Sequence, residues 1–459
     1  MAVFQNPGVQ TMKRDTSSSI DRRSVLKLAA GAGLAGAAGL GRAPAARAAG
    51  ETTLAVWTGF PELQPFYQAV GDAYSKLHPE VKLTYFSTSL REMEQKLSAA
   101  VPTGTGPDIY DIGTNISINF IDNGLIEPNP ADVDQYLKGG AWNRQVVDFC
   151  TWKGKTYGLP LMEGSKASMY YNKTMFQEAG IAQPPATFPE LIAAAQKLVK
   201  FDSSGKMTRS GLSLRLSGQG SGITEKFRYI LEGAGASVIA PAAGGKYHNN
   251  FDNDAGRAAL QFVVDAVQKY KIDDPKVQHD ADAFVAGNTA MLFREAWVIG
   301  EIHDKNPKLE YGVAPIPKWT ASSPHKMLLQ PWAIYVNGKS SNQKASWEFL
   351  KFLTNPENSL RITEMTGWVS ERQDVDWKPL LDKTPQFATF VTPPKDMTYY
   401  VEPILTPWDE IQSKMADKLT AAYINPELNG NPAKLAEAVH AMAAQTDQIL
   451  KEADLYSAT

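Results

Sequence analysis

The chain has 459 residues, 46 Lys+Arg against 49 Asp+Glu, and a formal net charge of −3. Its single cysteine, Cys150, excludes an internal disulfide. The length suffices for two lobes of ordinary domain size, and no run after the N-terminal segment is long and apolar enough to read as a membrane span.

The first element in chain order reads as an export signal. Arg22-Arg23 precedes an Ala/Gly/Leu-rich run that ends in Ala46-Arg47-Ala48, a small-x-small cleavage pattern. The arginine pair points to the twin-arginine route, although Asp21 and Val25 depart from that motif's usual Ser/Thr and Phe. Residues 1–48 are therefore expected to be cleaved, leaving about 411 residues with a net charge near −8. That balance argues against nucleic acid or anionic lipid as a partner. No cysteine follows the apolar run for lipid attachment, which favours the periplasm.

Thr53–Gly59 (TLAVWTG) reads as a strand, residues 61–79 as a helix, and Val81–Phe86, with alternating Val81, Leu83 and Tyr85, as a second strand. Residues 91–101 follow as a helix, Thr-Gly-Thr-Gly-Pro at 103–107 as a turn, and residues 108–113 as a third strand. This β-α-β-α-β order predicts a largely parallel sheet covered by helices. Later helices show apolar stripes at Leu191, Ala195 and Leu198, at Leu260, Val263, Val264 and Val267, and at Leu435, Ala438, Val439 and Met442. Asp254 is placed as the cap of the second of these. Ala290-Met291-Leu292-Phe293 reads as a buried strand, which leaves Arg294, Glu295 and Trp297 at its end, where α/β sheets hold ligands.

Catalytic and metal motifs do not emerge. Six histidines are scattered without ligand spacing, the 103–107 turn lacks the Lys-Ser/Thr of a phosphate loop, and Asp252–Gly256 lacks the carboxylate of a calcium loop, with Val263 in its place. No catalytic residue, metal ligand or cofactor is assigned. Two carboxylates facing across a cleft would suffice for a glycosidase, so a secreted carbohydrate-active enzyme stays open as an alternative.

Four blocks carry a family resemblance: AFVAGNTAM at 283–291; GKTYGLP at 154–160 with MYYNKTMFQEAG and PPATFPEL; YGVAPIPK at 311–318; and WEFLKFLTNPEN at 347–358. In order and spacing the chain resembles the extracellular solute-binding proteins of ABC transporters, in particular the sugar-binding family that includes maltose-binding protein. The resemblance implies an α/β, two-lobe periplasmic binding protein fold (type II-like), with hinge segments joining the lobes and ligand in the cleft. It implies residues 49–162 and 312–366 in the first lobe and 163–311 and 367–459 in the second. It further implies a monomer that binds a sugar, closes, and docks on the transmembrane subunits of a permease.

Stacked on a pyranose, an aromatic ring covers the C–H face while polar groups bond the hydroxyl rim. On that ground Trp297, Trp57, Trp332, Gly367-Trp368 and Trp408 are candidate ligand contacts, with a core role open for each indole. Trp332 stands where many relatives carry small residues. Asp111, Gly113, Thr114 and Asn115 follow the third strand, and Asn115 is either a hydroxyl binder or a helix cap. Glu163, at the first crossing, could accept two hydroxyl bonds. Arg294, with Glu295, Lys166 and Arg372, is either internally paired or a receptor for an anion. An anionic sugar derivative or glycerophosphate-type ligand is therefore the alternative to a neutral sugar.

Overall fold

A computed structural model describes residues 50–216, 221–278 and 280–458. The export segment 1–48 lies outside the described residues, as do the side chains of Thr114 and Asn115. Among the described residues no helix is long and apolar enough to cross a membrane.

The first lobe is built on a five-stranded sheet in the order Val81–Ser87, Thr52–Thr58, Ile109–Ile112, Pro331–Val336, Leu159–Glu163. Its first three strands are parallel, as the alternation of strand and helix requires. Pro331–Val336 enters antiparallel to both neighbours. The helix Gln64–Leu77 buries Phe66, Tyr67, Val70 and Tyr74 on one face, at the i, i+1, i+4, i+8 spacing of a helical stripe. Ile109–Ile112 is buried along its whole length, Asp111 included, so it shows no alternation of buried and exposed positions.

A three-stranded antiparallel sheet anchors the second lobe, with Ala167–Asn172 between Met291–Glu295 and Tyr311–Ala314. Around it pack the helices Gly222–Ala234, Asp254–Gln268, Trp408–Ile424 and Pro432–Glu452. The predicted stripe residues Leu191, Ala195, Leu198, Leu260, Val263, Val264, Leu435, Val439 and Met442 all lie in this core. The cap before Asp254 differs from expectation. Asn253 Oδ1 accepts from Gly256 N at 3.0 Å, and Asp254 is the first helical residue. The extended backbone of Asn253 lets its side-chain oxygen reach the third amide of the helix.

The chain changes core within a few residues at each crossing. Met162 belongs to the first core and Ala167 to the second. Leu328 packs in the second lobe while Leu329 packs in the first. Trp368 is in the first core and Val369 in a satellite cluster of the second lobe with Tyr170 and Leu292. The middle crossing thus comes later than residue 312: Tyr311–Ala314 pairs with Ala167–Asn172, and Ile316 lies in the second core. His325–Leu329, paired in parallel with Met397–Val401, carries the chain back.

Candidate functional site: a cleft between the lobes

The cleft is assembled from loops at the ends of first-lobe strands. Asp111, at the end of Ile109–Ile112, accepts from Tyr67 Oη at 2.7 Å and from Gly59 N at 3.4 Å. Burial raises its carboxyl to about 6, while the hydrogen bonds from Tyr67 and Gly59 oppose the rise. This buried knot fixes the turn after the first strand and so places Phe60 at the cleft. Phe60 meets Trp332 edge-on, with centroids 5.0 Å apart, and Trp368 at 5.7 Å. Gly113 lies beneath the Trp332 ring, where a Cβ would stand 3.3 Å from Cη2.

Phe60, Trp332 and Trp368 form one wall of a cavity of about 230 Å³ between the lobes. Arg91 and Glu94 line it from the first lobe, Ser165 and Gln330 from the crossings, and Ser221, Glu225, Glu402, Asp409 and Gln412 from the second lobe. Arg91 Nη1 bonds Glu94 at 2.9 Å. Burial opposes its charge, yet Glu94, Asp409 and Glu225 together hold the guanidinium above its usual range. Glu402 Oε1 accepts from Arg228 at 3.1 Å, from Gln412 Nε2 at 2.9 Å and from the Trp408 indole.

Beneath the cavity, Glu163 ties the crossings together. Its amide donates to Val369 O at 2.7 Å, and its Oε1 accepts from Gln330 N at 2.7 Å and Ser165 N at 3.0 Å. Burial, then the like charge of Glu371, push its carboxyl up to about 8 against the pull of Lys166. Lys166 Nζ pairs with Glu371 at 2.5 Å, so one cation serves two carboxyls, and the proton on Glu163 balances the group.

Of the sequence candidates, Trp332 and Trp368 come together on the cavity wall. Glu163 sits one residue from the lining Gly164, with both Oε1 bonds going to backbone amides. The others lie elsewhere. Trp57 meets Phe86 edge-on at 5.2 Å and packs on the first core. Gly367, at φ 79°, closes the helix Pro356–Thr366, and its Cα hydrogens face the Trp297 backbone, 2.9 Å from where a Cβ would stand. Trp408 is 1 % exposed in the second core, below the Arg228 guanidinium at 5.0 Å.

Trp297 wedges between the first core and the satellite cluster of the second lobe, 6.4 Å from Trp368. Its indole donates to Glu295 Oε2 at 3.2 Å. Arg294 stacks on that ring at 4.6 Å and pairs with Asp280 at 3.0 Å and Glu295 at 3.2 Å. Burial alone would raise Glu295, but Arg294 and Lys226 lower it to about 2. Arg372 is likewise paired, to Asp374 at 2.7 Å. Asn115 is the second residue of the helix Thr114–Asp122, its side chain outside the described residues.

The sequence reading passed over Phe60, Arg91, Glu94, Ser165, Glu225, Gln330, Glu402, Asp409 and Gln412. A partial signal existed: Arg91, Glu225 and Asp409 all occupy first turns of helices, whose N-termini the topology aims at the cleft. Among the described residues no group of three His, Cys, Asp or Glu side chains could hold a metal ion.

The sequence profile of the bacterial extracellular solute-binding proteins matches residues 57–359, about two-thirds of the chain. The chain belongs to that family. A binding protein of Brucella abortus strain 2308 is 26 % identical to this solute-binding protein over 419 residues, covering 88 % of this chain and 94 % of the relative. The maltotriose-binding protein of Pyrococcus abyssi is 24 % identical, covering 72 % of this chain and 68 % of its own length. The cyclic alpha-maltosyl-1,6-maltose binding protein from Arthrobacter globiformis superposes with a TM-score of 0.71 at 22 % identity, over 88 % of this chain and all of that one. That superposition fixes the two-lobe fold of this solute-binding protein.

Proposed function

We propose that this protein is the sugar-binding subunit of an ABC importer. It is exported to the periplasm by its twin-arginine signal, takes a mono- to oligosaccharide or glycoside into the cleft, and presents the closed form to the permease. It acts as a monomer and performs no chemical step. The observation that carries this reading is the cavity's composition. An aromatic wall of Phe60, Trp332 and Trp368 faces a rim rich in carboxylate and amide oxygens. An aromatic face covers the C–H surface of a pyranose, and each carboxylate accepts two hydroxyl hydrogen bonds. Relatives named for maltotriose and cyclic maltosyl-maltose binding are consistent with it.

The rim argues against the anionic alternative. Glu94, Glu225, Glu402 and Asp409 line the cavity with Arg91 as the one basic side chain among the described residues, and Arg294, the candidate anion receptor, is spent on Asp280 and Glu295.

The test is a thermal-shift panel of neutral mono-, di- and trisaccharides, sugar acids and glycerophosphates. A ligand at a hundred times its Kd adds roughly 2.7 kcal/mol, well above detection. A shift with sugars, lost at least about tenfold in affinity in Trp332→Ala, supports the reading. A shift confined to sugar acids or glycerophosphates refutes it, and release of product on prolonged incubation with a glycoside would replace carrier by enzyme.

A further inference from the structure

Two of the four acidic side chains on the cavity have a cation at ion-pair distance. Glu94 has Arg91, and Glu402 has Arg228, the indole of Trp408 and Gln412. Among the described residues Glu225 accepts only from Ser221 Oγ, at 2.6 Å, and neither Glu225 nor Asp409 has a basic side chain at ion-pair distance. They stand on the first turns of two different second-lobe helices, Gly222–Ala234 and Trp408–Ile424, and line the same cavity. The two are close enough for Glu225 to help push the Asp409 carboxyl up, after desolvation and against Arg91.

A second, separate observation points the same way. Gln412 lines the cavity and is 3 % exposed. Its Nε2 is committed to Glu402, and its Oε1 finds no donor among the described residues. A buried acceptor without a donor is costly, so the cavity asks its ligand for hydrogen-bond donors beyond those the protein supplies. The opposite wall is aromatic, and the face of an indole or phenyl ring attracts cations.

We propose that the ligand is a sugar or glycoside bearing a protonated amine, with the ammonium seated among Glu225, Asp409 and Gln412. This deepens the sugar reading and rests on it. A hydroxyl donates one hydrogen bond, whereas an ammonium donates three and offsets the surplus negative charge. A sugar acid in the same place would add a third like charge.

Calorimetry on the mature protein tests this with hexosamines and the β-1,4-linked glucosamine disaccharide, each against its N-acetylated form and its neutral parent sugar. The amine form binds at least tenfold more tightly than either. That preference shrinks at high salt, as an electrostatic contribution does, and falls to within about twofold in Glu225→Gln/Asp409→Asn. Thermal unfolding of the unliganded double variant confirms that it is folded. Binding of the neutral or acetylated sugars as tightly as the amines, or a preference that survives the double variant, overturns this inference and leaves the sugar reading standing. Binding of none of the probes overturns both.

Discussion

Glu163→Gln separates the charge of the hinge carboxyl from its hydrogen bonds. An amide oxygen can still accept from Gln330 N and Ser165 N, the two bonds that Oε1 now receives, but it cannot ionise. In the wild type the folded carboxyl titrates at about 8 against an ordinary value of 4.5. The folded state therefore keeps a proton that the unfolded chain releases. This stability is complete below about pH 4.5, falls as pH rises towards 8, and is flat beyond. Each pH unit in that window is worth about 1.4 kcal/mol, so by neutral pH the wild type gives up roughly 3 kcal/mol that the variant retains. At about 2 °C per kcal/mol, the lower end for large domains, the variant's Tm gains roughly 6 °C on the wild type between mildly acidic and neutral pH. The assay is thermal unfolding of both proteins across that range. Asp273, also pushed up to about 8 by burial, titrates in the same window, and the difference between the two curves cancels it. A Tm difference that stays constant with pH would refute the protonated hinge.

Two further outcomes follow from the packing. Trp297→Ala removes a ring shared by two clusters and an indole donor to Glu295, so the unliganded protein loses about 3–5 kcal/mol in chemical denaturation; an unchanged midpoint would put the ring at the ligand instead. Arg228→Ala strands Glu402, 5 % exposed, at a cost of about 3–5 kcal/mol near neutral pH. That loss shrinks as falling pH protonates the carboxyl, and a pH-independent loss would mean that Arg228 acts through packing alone.

Several features were legible without coordinates because they repeat at short range. The strand-helix alternation from Thr52 to Ile112 and the apolar stripe at Leu260, Val263 and Val264 follow periodicities of two and 3.6 residues. The buried strand at Met291 announced itself as an apolar run, and of the two readings open for Arg294, internal pairing or anion receptor, the structure shows it paired with Asp280 and Glu295. Trp332 and Trp368 reached the cavity while Trp297 and Trp408 did not, and nothing local to an indole distinguishes the two pairs.

By itself the sequence determined the elements, since backbone conformation and one-sided burial are set by neighbours a few residues apart. The two-lobe fold was implied by the family resemblance of its four blocks. Tertiary structure alone decided which charges are paired and which face the cleft. Glu225 and Asp409 are 184 positions apart in the chain, and they meet at one cavity because two helices of the second lobe start there. Glu163, Gln330 and Val369 meet because three crossings run side by side. A charge's partner is a property of distance in space, and long-range packing of the lobes sets that distance.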